Sequence, residues 1–231
     1  MNVFDIIGPV MIGPSSSHTA GAVRLGRVAN KIINIKDIKA LKGLKLEIIL
    51  SGSFARTYKG HGTDRALLAG IMGYHSYSEE IRDALQIASA NGINYKFIEQ
   101  DIKNAHPNTA RINFELDDKV GTVEGASIGG GNIRVDLVNG MRVDFTGENN
   151  TILVLHWDRP GVIADVTSLM RLKYQSANIA NFKLSRRERG GEALMTIELD
   201  NRRGALDNER EMAADIQGLN NVINAIVIRA I

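Results

Sequence analysis

Three consecutive serines and an imidazole stand together in Gly13-Pro14-Ser15-Ser16-Ser17-His18-Thr19-Ala20-Gly21-Ala22, directly before a segment that reads as a helix. A second polar cluster follows in Gly52-Ser53-Phe54-Ala55-Arg56-Thr57-Tyr58-Lys59-Gly60-His61-Gly62-Thr63-Asp64-Arg65. Hydroxyls and unpaired N–H groups at a helix start suit a carboxylate or phosphate, because donors and dipole both favour negative charge there. Two histidines add groups that titrate near neutral pH, so the same place can move protons as well as hold an anion. The plain alternative is that Ser16 or Ser17 merely caps the helix that follows.

The elements around these motifs are legible in outline. Leu44-Lys45-Leu46-Glu47-Ile48-Ile49-Leu50 begins with apolar/polar alternation and reads as a strand ending at Ser51-Gly52. Ser78-Glu79-Glu80 starts a helix with Ile81, Ala84, Leu85 and Ala88 at helical spacing and Gly92 as its stop. Ile112, Phe114 and Leu116 alternate again, and Asn139-Gly140 between 132–138 and 141–145 is a strong hairpin signal. Without a strict strand–helix rhythm, residues 1–147 are expected to form a mixed α+β domain.

Residues 148–231 have a cleaner order. Strands are expected at 151–156, 177–185, 192–200 and 222–229, and helices at 162–174 and 206–216. Asp158-Arg159-Pro160-Gly161 is the first turn, and Val162, Ile163, Val166 and Leu169 form the buried face of the first helix. The order βαββαβ is the ferredoxin-like split unit, and the whole chain is α+β. A sheet edge left open in such a unit predicts a dimer.

Composition narrows the classes. A net charge of +2, balanced in both halves, names no nucleic-acid partner. No apolar run approaches the roughly 20 residues of a membrane span. The start Met1-Asn2-Val3-Phe4-Asp5 does not read as a signal peptide, so a cytoplasmic location is expected. There is no cysteine, which excludes disulfides, thiolate nucleophiles and cysteine ligands to an iron–sulfur cluster. No G-x-G-x-x-G fingerprint supports an NAD enzyme.

Two family resemblances follow from these motifs. Leu155-His156-Trp157-Asp158-Arg159-Pro160-Gly161-Val162-Ile163-Ala164, with Ala177-Asn178-Ile179-Ala180, resembles the ACT domain, a small regulatory module that often binds amino acids at dimer interfaces. The serine-rich motif, the Lys-Gly-His-Gly motif and Ser127-Ile128-Gly129-Gly130-Gly131 resemble the beta chain of the iron–sulfur-dependent L-serine dehydratase. That resemblance implies a lyase turning L-serine into pyruvate and ammonia. It also implies an alpha-chain partner holding a [4Fe–4S] cluster, with one iron acting as a Lewis acid on the substrate hydroxyl. A chain without cysteine fits the subunit that does not carry the cluster.

On that resemblance, His18 and His61 are the candidates for base and proton donor, and Ser15, Ser16, Ser17 and Thr19 for the carboxylate clamp. Lys59 is a further candidate to meet a carboxylate. Arg56 and Arg65 read as solvated charges, and Asp64 as the cap of a helix over 65–72. The three glycines at 129–131 read as a bulge or a close backbone approach. His75 and His106 receive no role. In the ACT-like region, His156, Asp158 and Asn178 fall where serine-binding ACT domains place ligand contacts. Such domains commonly carry Asn where this chain has Asp158, which can still receive an ammonium group. The competing reading is a non-catalytic amino-acid-sensing module related to the regulatory domains of phosphoglycerate dehydrogenase, which has no use for a histidine pair.

Overall fold

The computed structural model of the chain describes residues 15–34, 37–200 and 208–231. Residue contacts divide it into two compact units, 1–140 and 141–231. Strand 141–145, read from sequence with the first region, groups with the second.

The first unit opens with a π-helical turn, Ser17–Gly21, which runs into helix α1 (Ala22–Ile33). Strand β1 (Lys45–Leu50) leads to helices α2 (Gly52–His61), α3 (Thr63–Ile71) and α4 (Ala84–Ala90). Strands β2 (Asn94–Glu99), β3 (Thr109–Leu116), β4 (Lys119–Gly129) and β5 (Asn132–Val138) follow. Strand order is β2-β1-β3-β4-β5, with β1 parallel to β2 and antiparallel to β3. Leu46, Ile48 and Leu50 of β1 and Ala110, Ile112 and Phe114 of β3 are buried, the period-2 pattern of a sheet with one face on a core. The helix expected from Ser78 begins instead as a 3₁₀ turn, Glu79–Asp83, before α4. Ser78 Oγ accepts from the His75 N–H rather than capping the turn after it.

Two glycines bring α1 and α3 together. A Cβ on Gly70 would lie 2.1 Å from the Val23 carbonyl oxygen and 2.9 Å from Gly26 Cα. One on Gly26 would lie 2.3 Å from the Leu67 carbonyl oxygen. The helices therefore cross backbone on backbone, and only hydrogen fits at either position. This crossing sets how the starts of the two helices stand to each other, and each start carries one of the histidines.

At the β5 turn, Asn139 (φ 51°) and Gly140 (φ 77°) both take the positive φ that a two-residue hairpin connection of this type requires.

The second unit contains β6 (Met141–Phe145), β7 (Asn150–Trp157), α5 (Val162–Lys173), β8 (Ile179–Arg186), β9 (Glu192–Leu199), α6 (Glu209–Gln217) and β10 (Val222–Ile228). The order β7-α5-β8-β9-α6-β10 and the sheet order β10-β7-β9-β8 are those of the ferredoxin-like fold. Val162, Val166 and Met170 of α5 pack with Ile152, Val154, Met195, Ile197, Met212 and Ile216. Ile163, placed on the buried face from sequence, is 41% exposed, because the buried stripe follows an i, i+4, i+8 row and leaves 163 off it. Asn208 caps α6 by accepting from the Glu211 N–H. No described helix is long and apolar enough to cross a membrane.

Candidate active site

The site is built on the π-helical turn. The Ser15 carbonyl accepts from the N–H groups of both His18 and Thr19, each at 3.2 Å, which starts the helix just before it widens into the π turn. Such turns recur at functional sites because the extra residue re-aims side chains. Here the Ser15 hydroxyl lies 3.0 Å from His18 Nδ1. Ser16 has helical dihedrals and makes no side-chain cap bond, so the capping alternative is not realised at Ser16. Ser16 and Ser17 are half-buried, and their hydroxyls make no hydrogen bond among the described residues. Thr19 is fully buried with its hydroxyl unpartnered. Gly13 and Pro14 of the motif lie outside the described residues.

His18 is 6% exposed and meets two aromatic neighbours edge-on: Phe54 at 5.0 Å and His61 at 4.7 Å between ring centroids. Burial lowers its pKa, and the adjacent His61 lowers it further, because two imidazolium charges this close repel. The structure therefore brings the two sequence-predicted histidines into contact.

His61 arrives from α2, whose start is fixed from outside the helix. The Pro107 carbonyl accepts from the Ser53 N–H (2.7 Å) and the Phe54 N–H (3.2 Å). Gly52 (φ 59°) is pressed against Pro107, where a Cβ would lie 2.7 Å from the carbonyl oxygen. His106, without a role in the sequence, shapes this turn by accepting the Asn108 N–H at Nδ1. Along α2, Ser53, Thr57 and His61 recur every four residues and share one face. The Ser53 hydroxyl lies 3.4 Å from His18 Nε2. At the far end Gly62 (φ 71°) breaks α2 from α3. His61 Nδ1 and the Thr63 hydroxyl are buried there without partners. Buried polar atoms normally find partners, so this concentration of unpartnered ones beside the histidines is unusual.

The other candidates separate. Lys59 is exposed, with Nζ 5.5 Å from the centre of the Tyr58 ring, and makes no hydrogen bond or ion pair among the described residues. It is two residues away from the Thr57 position on the helix and is not brought to the histidines. Arg56 is exposed and Arg65 half-buried. Asp64 does not cap from the position before the helix: Gly62 takes that place, and Asp64 Oδ1 accepts the N–H of its own neighbour, Arg65. Burial pushes the Asp64 carboxyl up.

Three further residues of this region, assigned no role from sequence, shape it. Ser53 would have emerged from placing the second motif on a helix and noting its spacing to His61. Arg24 is buried and donates from Nη1 to the Gly131 carbonyl at 2.7 Å, tying α1 to the glycine turn. Ser127 presses its unpartnered hydroxyl against Gly21, where a Cβ would come within 2.0 Å of it. Gly129, Gly130 and Gly131 all have positive φ, and the β4–β5 register shifts between Ser127 and Gly129, so the turn is a bulge that lets the strand approach the π-helical turn.

In the second unit, His156 is buried, with Nδ1 2.8 Å from the Trp157 carbonyl and Nε2 unpartnered. The Gly190 N–H (3.0 Å) and the Arg186 guanidinium (3.2 Å) hold the Asp158 carboxyl below its usual range. Trp157 is 45% exposed. Asn178 stands elsewhere. Asp158 donates its N–H to the Gly191 carbonyl, before β9 begins, whereas Asn178 bonds Asp200 after β9 ends. At about 3.3 Å per residue, the eight residues of β9 put the two roughly 25 Å or more apart. One chain does not bring Asn178 to His156 and Asp158.

The residues of this chain do not suit an iron–sulfur cluster. The sequence contains no cysteine, and among the described residues no three histidines or carboxylates gather as ligands.

A family model described as serine dehydratase beta chain matches residues 2–97, the stretch that carries both histidines. The chain is 45% identical over 201 residues to a probable L-serine dehydratase beta chain of Bacillus subtilis, covering 86% of this chain and 87% of that one. It is 37% identical, with the same coverage, to the L-serine dehydratase beta chain of Peptoniphilus asaccharolyticus. D-3-phosphoglycerate dehydrogenase of Methanocaldococcus jannaschii is 30% identical over 158 residues, 68% of this chain and 29% of that enzyme. That stretch is longer than either unit, so the likeness takes in parts of both.

Proposed function

The chain belongs to the L-serine dehydratase beta-chain family, and we propose that its histidine pair carries the proton transfers of serine elimination. The observation that carries this reading is the 4.7 Å contact of His18 with His61 beside unpartnered buried hydroxyls. Converting L-serine to pyruvate and ammonia requires loss of the α-proton and departure of the β-hydroxyl as water. The resulting enamine takes up a water molecule and releases ammonia. One imidazole must start neutral to take the α-proton, and the other must start protonated to give a proton to the leaving hydroxyl. Burial and the neighbouring His61 lower the His18 pKa, which favours that division. Ser15, Ser16, Ser17 and Thr19 line the same turn, and in this reading their hydroxyls grip the substrate carboxylate.

The [4Fe–4S] cluster implied by the family resemblance is placed on an alpha-chain partner, because the donor set of this chain does not fit it. The two chains meet around the π-helical turn in this reading, in the cytoplasm. The ACT-like unit serves regulation and self-association. Since Asn178 lies far from His156 and Asp158 within one chain, an amino-acid effector is shared between two copies, each giving one end of its sheet. Strand β8 is one of the two edges of the sheet and exposes Phe182 and Leu184, which supports pairing there.

The test is His18→Ala and His61→Ala in the chain assembled with its alpha partner. Assembly and cluster content stay unchanged, while kcat falls by roughly 10²–10⁴, the usual worth of a positioned acid or base. Serine-to-alanine changes at 16 and 17 mainly raise KM, because the clamp serves ground and transition states alike, whereas Ser15→Ala also lowers kcat, because it frees His18 Nδ1. Full activity in the double histidine variant overturns the reading.

A further inference from the structure

Ser53 lies outside both motifs' chemistry as read above, yet it holds the one ring nitrogen of His18 that Ser15 does not. The Ser15 hydroxyl is 3.0 Å from Nδ1 and the Ser53 hydroxyl 3.4 Å from Nε2. Phe54 and His61 flank the ring edge-on. A neutral hydroxyl thus stands at each ring nitrogen, and the Ser53 backbone also acts on the ring; hydroxyls can donate or accept and so suit either tautomer.

Ser53 itself is held rigidly. Its N–H donates to the Pro107 carbonyl, and its own carbonyl accepts the Thr57 hydroxyl at 2.8 Å. Neither bond uses the Ser53 hydroxyl, which is left to the histidine. The longer of the two contacts on His18 is the one at Nε2, on the α2 face that also carries Thr57 and His61. A weak bond there keeps the nitrogen aimed while leaving it exchangeable, as a nitrogen that must trade protons with a substrate requires.

We propose that Ser53 is a positioning residue for proton transfer: its hydroxyl orients the His18 imidazole so that Nε2 faces the α2 side of the site, and it yields that nitrogen when substrate enters. This rests on the reading of His18 as a proton-transfer group, and it adds the residue that sets the direction of the transfer.

The test is Ser53→Ala, with Ser53→Thr as the hydroxyl-retaining control. Alanine keeps every backbone bond of Ser53 and favours a helix, so the variant folds. In the assembled enzyme, Ser53→Ala lowers kcat by up to about 100-fold, the scale of a slightly misaimed catalytic group, with a smaller change in KM. Ser53→Thr restores most of the loss. In a His18→Ala background Ser53→Ala has no further effect, because its action runs through that ring. Nitrogen NMR of the isolated chain reads the same point without turnover: Ser53→Ala shifts the tautomer balance of His18. Losses that add in the double variant, or unchanged kcat together with an unchanged His18 tautomer, overturn the proposal. If His18→Ala itself retains activity, the reading beneath it fails instead, and the NMR result still decides whether Ser53 orients the ring.

Discussion

Replacing Gly70 and Gly60 by alanine gives opposite signs from the same chemical change. Both glycines lie within helices, where alanine is favoured by about 1 kcal/mol through a smaller loss of backbone entropy. At Gly60 no heavy atom lies within 4 Å of an added Cβ, so Gly60→Ala keeps that gain whole. At Gly70 the added Cβ falls 2.1 Å from the Val23 carbonyl oxygen, 2.9 Å from the Arg27 nitrogen and 2.9 Å from Gly26 Cα. All three are backbone atoms, so no rotamer change relieves the clash, and α1 and α3 must move apart by on the order of 1 Å. Overpacking costs about 1–3 kcal/mol, and the upper end applies where backbone faces backbone. Subtracting the helix gain leaves a net loss of about 2 kcal/mol. For a chain of this size that is a drop of roughly 4–8 °C in Tm, against a rise of about 2–4 °C for Gly60→Ala. Thermal and denaturant unfolding of the isolated chain measure both. Activity adds a second readout, since the same two helices carry the turns that hold His18 and His61. Gly70→Ala therefore lowers kcat in the enzyme that remains folded, and Gly60→Ala does not. A Gly70→Ala chain as stable and active as the parent refutes the backbone-on-backbone crossing.

Tyr174 donates to Asp215, and burial first, then that bond, pushes its hydroxyl up to about 12; an ultraviolet titration shows a last tyrosinate step there, which Asp215→Asn moves toward the ordinary value. The raised value means that this contribution to stability is complete below the unfolded tyrosine pKa of about 10 and disappears as pH rises through the folded one. Asp158 has the opposite sign: held low by the Gly190 N–H and Arg186, it stabilises above roughly pH 4 and loses that contribution as pH falls through its depressed value. Asp158→Asn should thus unfold more readily than the parent at neutral pH and match it in strong acid, as denaturant midpoints across that range report. For the shared effector site, mixing Asp158→Ala chains with Asn178→Ala chains should restore about a quarter of the parent's L-serine sites by calorimetry, because half of randomly mixed dimers are hybrids and one of the two sites in each is intact. No recovery on mixing refutes a site built across two copies.

The sheet elements were legible because one buried face imposes period two, and residues 45–50 and 112–116 display it openly. The hairpin at Asn139-Gly140 was legible for a backbone reason, the need for two positive φ angles. The start of α1 was not: the rule that serine caps helices points to Ser16 or Ser17, whereas the helix begins on the Ser15 carbonyl and widens at once into the π turn. Nothing in a 3.6-residue period announces that wider turn. His18 and His61 look like partners only through family resemblance, because their contact depends on Gly26 and Gly70, whose role is read from interhelical distance. Ser53 was within reach, four residues before Thr57 and eight before His61 on a helix that the motif itself suggested.

Asn178 shows a different failure, one of topology. In a βαββαβ unit the first two strands both pair antiparallel to the third, so they run parallel to each other. The end of the first strand and the start of the second must then lie at opposite ends of the sheet. Asp158 follows β7 and Asn178 precedes β8, so the strand order already forbade their meeting within one chain. Grouping them by motif alone passes over that step. Once it is taken, the proposed effector site needs two copies of the chain, each giving one half.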